Sequence, residues 1–189
     1  MLPDNPEFNT KINRLRELLD QYSVDALLLR RVSSFAWATC GAASYVNTAT
    51  TEGAASLVIT RERLYLVTNV IEAPRLEQEE KLAEQGWEIQ ISPWDIPLQA
   101  LHRLVSGLSL ASDVPFPGAK DISAEIARLR TRLTPEEGER FRQLGCLCAE
   151  TMTAAAQRIQ PGFSEYQIAA LVGSEAQQRG VQPIVNLVA

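Results

Sequence analysis

What most constrains this chain is an alternation that stops. Through about the first 130 of its 189 residues, short β-type runs alternate with amphipathic segments, and at Thr134 that rhythm gives way to two longer helical patterns. Ile12, Leu15, Leu19 and Tyr22 recur at helical spacing and predict a helix over residues 10–22. Val24-Asp25-Ala26-Leu27-Leu28-Leu29 reads as a short buried strand. Two β-type runs, residues 56–60 and 64–68, flank Arg61-Glu62-Arg63 and predict a hairpin. A helix is expected over residues 72–85, with Pro74 in its first turn and Gly86 as its stop. Trp87, Ile89 and Ile91 alternate with polar residues as a strand does. Asp95 is placed to cap a further helix over residues 96–106, with Pro97 in its first turn and Gly107 past its end. A short strand over 108–113, a rigid turn at Val114-Pro115-Phe116-Pro117-Gly118 and a helix marked by Ile122, Ile126 and Leu129 complete the pattern. The fold class expected is α/β, with a mixed sheet and flanking helices.

From Thr134 the character changes. Thr134-Pro135-Glu136-Glu137 is a helix start, with a hydroxyl cap, proline at the first helical position and glutamate at the third. Phe141, Leu144, Cys148, Met152, Ala155 and Ile159 then mark one face. Pro161-Gly162 ends that helix, and Ser164 with Gln167 opens another that closes at Gly180. Ile168, Leu171 and Val172 are expected to point inward. A strand-like segment, Pro183-Ile184-Val185-Asn186-Leu187-Val188-Ala189, follows. Two regions are therefore expected, residues 1–132 and residues 133–189.

Composition excludes several classes. Net charge is -5, with 18 basic and 23 acidic side chains interspersed, so no basic face is available to neutralise nucleic-acid phosphates. The first residues lack a basic segment followed by an apolar one, and no run approaches the length of a membrane span. Three cysteines, Cys40, Cys146 and Cys148, form no paired motif, which fits buried or partly buried structural thiols in a reducing, cytoplasmic setting. Neither a G-x-S-x-G elbow nor a glycine-rich phosphate loop is present.

Several pieces resemble a known family. Leu133-Thr134-Pro135-Glu136-Glu137, then Ile159-Gln160-Pro161-Gly162-Phe163-Ser164-Glu165, then Gly180 and residues 183–189, resemble the opening of a pita-bread metallopeptidase domain. That family comprises aminopeptidase P, prolidase and creatinase. Upstream, Ser34-Phe35-Ala36-Trp37-Ala38-Thr39-Cys40-Gly41 and Asn69-Val70-Ile71-Glu72-Ala73-Pro74-Arg75-Leu76 resemble segments of the family's N-terminal domain. The resemblance implies a creatinase-type N-terminal domain over residues 1–132. It also implies the first two helices and first strand of a catalytic domain over 133–189. In the family, two divalent metals (manganese, cobalt or zinc) are held by two aspartates, one histidine and two glutamates. All of these lie further along than residue 189, and no aspartate follows Asp121 and no histidine follows His102. No catalytic or metal-binding residue is therefore assigned, and the chain alone is expected to be inactive. The intact enzyme would be an Xaa-Pro-type aminopeptidase or dipeptidase acting on a peptide substrate, forming a homodimer. The alternative is a non-catalytic pita-bread-like binding or assembly module.

Weighed singly, the chemistry-bearing residues are bland. His102 has no local partner pattern and reads as a surface or boundary histidine. Glu136, Glu137 and Glu139 suit the positive end of a helix better than a metal. Glu77, Glu79 and Glu80 read as a solvated helix face. Residues 42–55 are the exception, a long loop rich in small residues. Its plainer reading is a hairpin arm or a dimer contact; the resemblance puts it where the family has a gating loop, so Trp37, Tyr45 and Asn47 are the candidates for a substrate entrance. Residues 184–188, left with few strand partners, are expected to be frayed, swapped into a second copy or packed against another chain.

Overall fold

The structure, a computed structural model, describes residues 5–188. The chain divides into two compact units, Met1–Arg132 and Leu133–Ala189.

The first unit is built on a six-stranded mixed sheet. Helix α1 (Pro6–Tyr22) starts at Asn5, whose side-chain oxygen accepts from the Phe8 amide, and stops at Ser23 in the left-handed conformation. Strand β1 (Ala26–Arg31) is one of the two central strands of the sheet and is followed by a short helix α2 (Val32–Ala38). Strands β2 (Glu52–Thr60) and β3 (Leu64–Asn69) form the expected hairpin, with Ile59 opposite Leu64. Then come β4 (Glu88–Ser92), α3 (Gln99–Leu104), β5 (Leu110–Ser112), β6 (Ala119–Asp121) and α4 (Ser123–Arg130). The strand order is β4-β3-β2-β1-β5-β6. The β1–β2 and β2–β3 pairs are antiparallel, whereas β3–β4, β1–β5 and β5–β6 are parallel.

Both faces of this sheet are covered, which explains the unbroken apolar run Ala26-Leu27-Leu28-Leu29. Leu27, Leu29, Leu57 and Ile59 face one core with Phe8, Ile12 and Leu15 of α1 and Ile126 of α4. Ala26, Leu28, Val58 and Val67 face the other with Ala100 and Leu101 of α3. Alternation along a strand, with period two, sends neighbours to opposite cores.

Three differences from the sequence reading have physical causes. The helix expected over residues 72–85 is only a single π-helical turn, Arg75–Glu79, closed by the Glu80 amide on the Arg75 carbonyl. Lys81 then enters the left-handed region (φ 53°), which no continuing helix allows. The helix expected from Asp95 starts later, at Gln99, because Ser92 Oγ accepts from the Ala100 amide and residues 93–98 turn instead. Strand β6 and helix α2 were not read from the sequence at all. Each is short, and β6 exists because its partner β5 supplies the ladder.

In the second unit, helix α5 (Pro135–Arg158) opens with the expected capping box. The Thr134 hydroxyl accepts from the Glu137 amide, and the Glu137 carboxylate accepts from the Thr134 amide. Helix α6 (Glu165–Gln178) repeats the device with Ser164 and Gln167. The two helices are joined electrostatically by Glu175, which accepts from Arg158 of α5 and from Arg179 at the end of α6. These hydrogen bonds hold the Glu175 carboxyl below its ordinary pKa. The strand expected over residues 184–188 is not formed. Among the described residues this segment has no ladder partner, and an extended run without one is not a strand. Residue 189 lies outside the described residues.

Candidate functional site

Residues 40–51 link α2 to β2 and carry no regular secondary structure. Their path is fixed by a polar clamp built on Arg75. Its Nε and Nη2 donate to Glu72 Oε2 at 3.0 and 2.9 Å, while Nη1 donates to the Ala43 carbonyl at 2.9 Å and to Glu80 Oε1 at 3.2 Å. Glu80 Oε1 also accepts from the Ala43 amide at 3.1 Å. The guanidinium and the Glu80 carboxylate thus hold both backbone groups of a single loop residue, while Glu72 fixes the guanidinium. The fork of donors on arginine makes this possible where lysine would reach one partner at a time. The π-turn matters here, because widening the helix at residues 75–79 brings Arg75 and Glu80, five apart, to the same side.

A second constraint lies at the loop's far end. Ser44 is fully buried, and its carbonyl accepts from the Ala54 amide at 2.7 Å. A Cβ on Gly53 would stand 2.2 Å from Ser44 Oγ and 2.8 Å from the Ser44 carbonyl oxygen, so glycine is required for that approach. Gln85 adds a bond from Nε2 to the Thr39 carbonyl at 3.2 Å. The loop is held at Thr39, Ala43 and Ser44 and leaves its tip, residues 46–49, exposed.

The three entrance candidates separate. Asn47 is exposed, and its side-chain oxygen accepts from the Ala49 amide at 2.9 Å, so it shapes the tip turn. Tyr45 is half-buried beside it in sequence. Trp37 is only 6% exposed and belongs to the core over α1, with the Lys11 ammonium 5.3 Å from its ring. Its contribution to any surface is indirect, through the packing of α2. Sequence reasoning missed the clamp itself. Glu80, read as part of a solvated face, is a loop anchor, and the signal was the E-x-x-R spacing followed by an acid five residues on.

Of the three cysteines expected to be buried or partly buried, Cys40 is half-buried, whereas Cys146 and Cys148 are exposed on α5 because no layer among the described residues covers that helix face. The remaining candidates keep structural roles. His102 is exposed on α3 and stacks on Phe116, with ring centroids 5.7 Å apart. Glu137 serves its capping box. Asp113, fully buried, accepts from the Arg30 and Arg31 amides at 2.8 and 3.3 Å, and its carbonyl accepts from Arg31 Nε at 2.8 Å. It stitches the carboxyl ends of β1 and β5. Among the described residues no three His, Cys, Asp or Glu side chains converge where they could hold a metal ion. No helix among them is long and apolar enough to cross a membrane.

No family model matches this sequence, and no curated protein matches it. Solved structures do. The prolidase of Pyrococcus horikoshii OT3 superposes with a TM-score of 0.69 at 19% identity, over 90% of this chain and 49% of that one. An Xaa-Pro dipeptidase from Bacillus anthracis gives 0.68 at 18% identity, over 91% and 49%. Proline aminopeptidase P II from Yersinia pestis gives 0.63 at 16% identity, over 92% and 50%. This chain spans about half the length of the solved structures it matches. Its fold, a mixed six-stranded sheet with flanking helices followed by a helical pair, is the one found in prolidases, Xaa-Pro dipeptidases and aminopeptidases P.

Proposed function

We propose that this chain is the amino-terminal portion of a metal-dependent Xaa-Pro peptidase, and that its clamped loop shapes the entrance through which peptides reach a site built by other residues. The reading is carried by one observation: the segment that resembles the family in sequence, Ile71-Glu72-Ala73-Pro74-Arg75, is the segment that fixes residues 40–51 in place. The shared fold along about 90% of the chain supports it. Tyr45 and Asn47 would meet substrate or a neighbouring subunit, and Trp37 would set the loop's root.

The peptidases of this family use two divalent metals, manganese, cobalt or zinc. The described residues do not fit such a centre, since no cluster of ligating side chains exists among them. No hydrolytic step is assigned to this chain, and the 189 residues alone are proposed to be inactive. The intact mass of the protein from its source, with an assay, tests this. A protein longer by roughly 100–200 residues that removes the N-terminal residue from Xaa-Pro peptides in a metal-dependent way is the expected result. Metal-dependent turnover by the 189-residue chain would overturn it. In the longer protein, Tyr45→Ala and Asn47→Ala are expected to raise KM, and an unchanged KM together with unchanged dimerisation removes the entrance role.

A further inference from the structure

The sheet has two open edges, and they are not alike. At one edge β6 is three residues long and carries exposed Lys120 and Asp121, charges that discourage pairing with another strand. At the other, β4 reads Glu88-Ile89-Gln90-Ile91-Ser92 and has no charge after its first residue. Around its carboxyl end Val70, Ile71, Ile91, Trp94 and Ile96 are between 49% and 67% exposed. The Val70 amide donates to the Ser92 carbonyl, so these residues share one corner of the unit.

The register tells which backbone groups of β4 are free. In a parallel pair, alternate residues of a strand turn both backbone groups to the same neighbour. Ser92 accepts from Val70 and stands opposite Asn69 of β3. Ser92, Gln90 and Glu88 therefore face β3, and the N–H and C=O groups of Ile89 and Ile91 face outward. Among the described residues no other backbone or side-chain group reaches them.

We propose that β4 pairs with β4 of a second copy of this chain, antiparallel, about a two-fold axis at Gln90. That register is self-complementary. Ile89 stands opposite the partner's Ile91 in a hydrogen-bonded pair, and the symmetric pair repeats it, giving four backbone bonds. Both isoleucines lie on the sheet face where Ile89 packs against the Phe8 and Trp87 core, so that the cross-strand pairs extend this core from copy to copy. Glu88 stands opposite the partner's Ser92, so no like charges meet. Pro93 cannot donate and ends the ladder after five residues, which limits growth beyond a closed dimer. The edge geometry carries this without the peptidase reading, though it would give the dimer expected there a location.

Two measurements on the 189-residue chain test it. Gln90 pairs with its own copy in a non-hydrogen-bonded site, where Cα atoms approach to about 4.5 Å, within the range a disulfide spans. With Cys146 and Cys148 replaced by serine, Gln90→Cys is expected to give a cross-linked dimer under mild oxidation, and Glu62→Cys in the hairpin turn is expected not to. Ile91→Lys is expected to weaken the dimer about tenfold in sedimentation while leaving the circular dichroism unchanged. A chain that sediments as a monomer at every concentration overturns the proposal. So does a dimer that forms no cross-link at position 90, a result that would leave the peptidase reading standing.

Discussion

The two units spend their apolar residues differently. In the first, a sheet buried on both faces takes up almost every large aliphatic side chain of β1, β2 and β3. In the second, the only buried apolar residues among those described are Ala155 and Ala176, while Phe141, Leu144, Met152 and Leu187 are 45–92% exposed. An apolar groove of about 370 Å³ runs between α5, α6 and residues 185–188, lined by Met152, Ile159, Ile168 and Val172. Helices α5 and α6 carry apolar residues at helical spacing just as α1 does, so the difference lies in what is present to cover the face. Caps and ion pairs can define a helix pair, but packing supplies most of a helix's stability. The first unit is therefore held by its core, and the second by capping boxes and the Glu175 ion pairs.

Substitutions at matched positions sharpen this contrast, and the largest effect belongs to the core. Leu57→Ala, at a fully buried site, is expected to cost about 2–5 kcal/mol in urea unfolding. Phe141→Ala, at a side chain 61% exposed, should stay within about 0.5 kcal/mol. Comparable losses at the two sites would erase the distinction.

The loop clamp comes next. Arg75→Ala removes the hydrogen bonds to Glu72, Glu80 and Ala43 and is expected to cost about 1–3 kcal/mol. Hydrogen exchange should show the Ala43 amide losing protection first, since Glu80 would no longer be held against it. Unchanged protection there would mean that the loop is positioned by Ser44 and Gly53 instead.

Glycines give an opposite-sign test. Gly53→Ala meets Ser44 at 2.2 Å and is expected to destabilise by about 1–3 kcal/mol. Gly145→Ala, inside α5 with nothing within 4 Å of the new methyl, is expected to stabilise by about 0.5–1 kcal/mol. A loss at Gly145 in thermal melts would indicate that α5 is covered closely by something in solution.

The smallest effect is that of pH. Hydrogen bonds from Arg179 and Arg158 lower the Glu175 pKa. A carboxyl whose folded pKa is depressed contributes stability above its unfolded pKa and loses it as pH falls through the folded one. The helicity of α5 and α6 should therefore weaken on acidification below the ordinary glutamate range. Glu175→Gln should flatten that dependence, as followed by circular dichroism across a pH series. An identical acid profile in wild type and variant would remove Glu175 from the account.

What was legible in the sequence follows from the range of the forces involved. The capping boxes at Thr134 and Ser164 were readable because cap and partner lie three residues apart. The Arg61-Glu62-Arg63 hairpin was readable because its flanking runs are adjacent. The shortening of the 72–85 helix was not, because it depends on Ala43, some thirty residues away, drawing Arg75 and Glu80 together. Trp37 was a candidate for the substrate entrance alongside Tyr45 and Asn47, but its place under Lys11 and α1 is set by tertiary packing that the sequence does not display. Strand β6 is only three residues long, and Ala119-Lys120-Asp121 has no β-type pattern of its own.

The contrast between the units is tested most directly by native-state hydrogen exchange resolved along the chain. Amides of β1, β2 and β3 are expected to open only with global unfolding, while those of α5 and α6 exchange through far less costly local openings. Equal, global protection in both units would contradict that contrast.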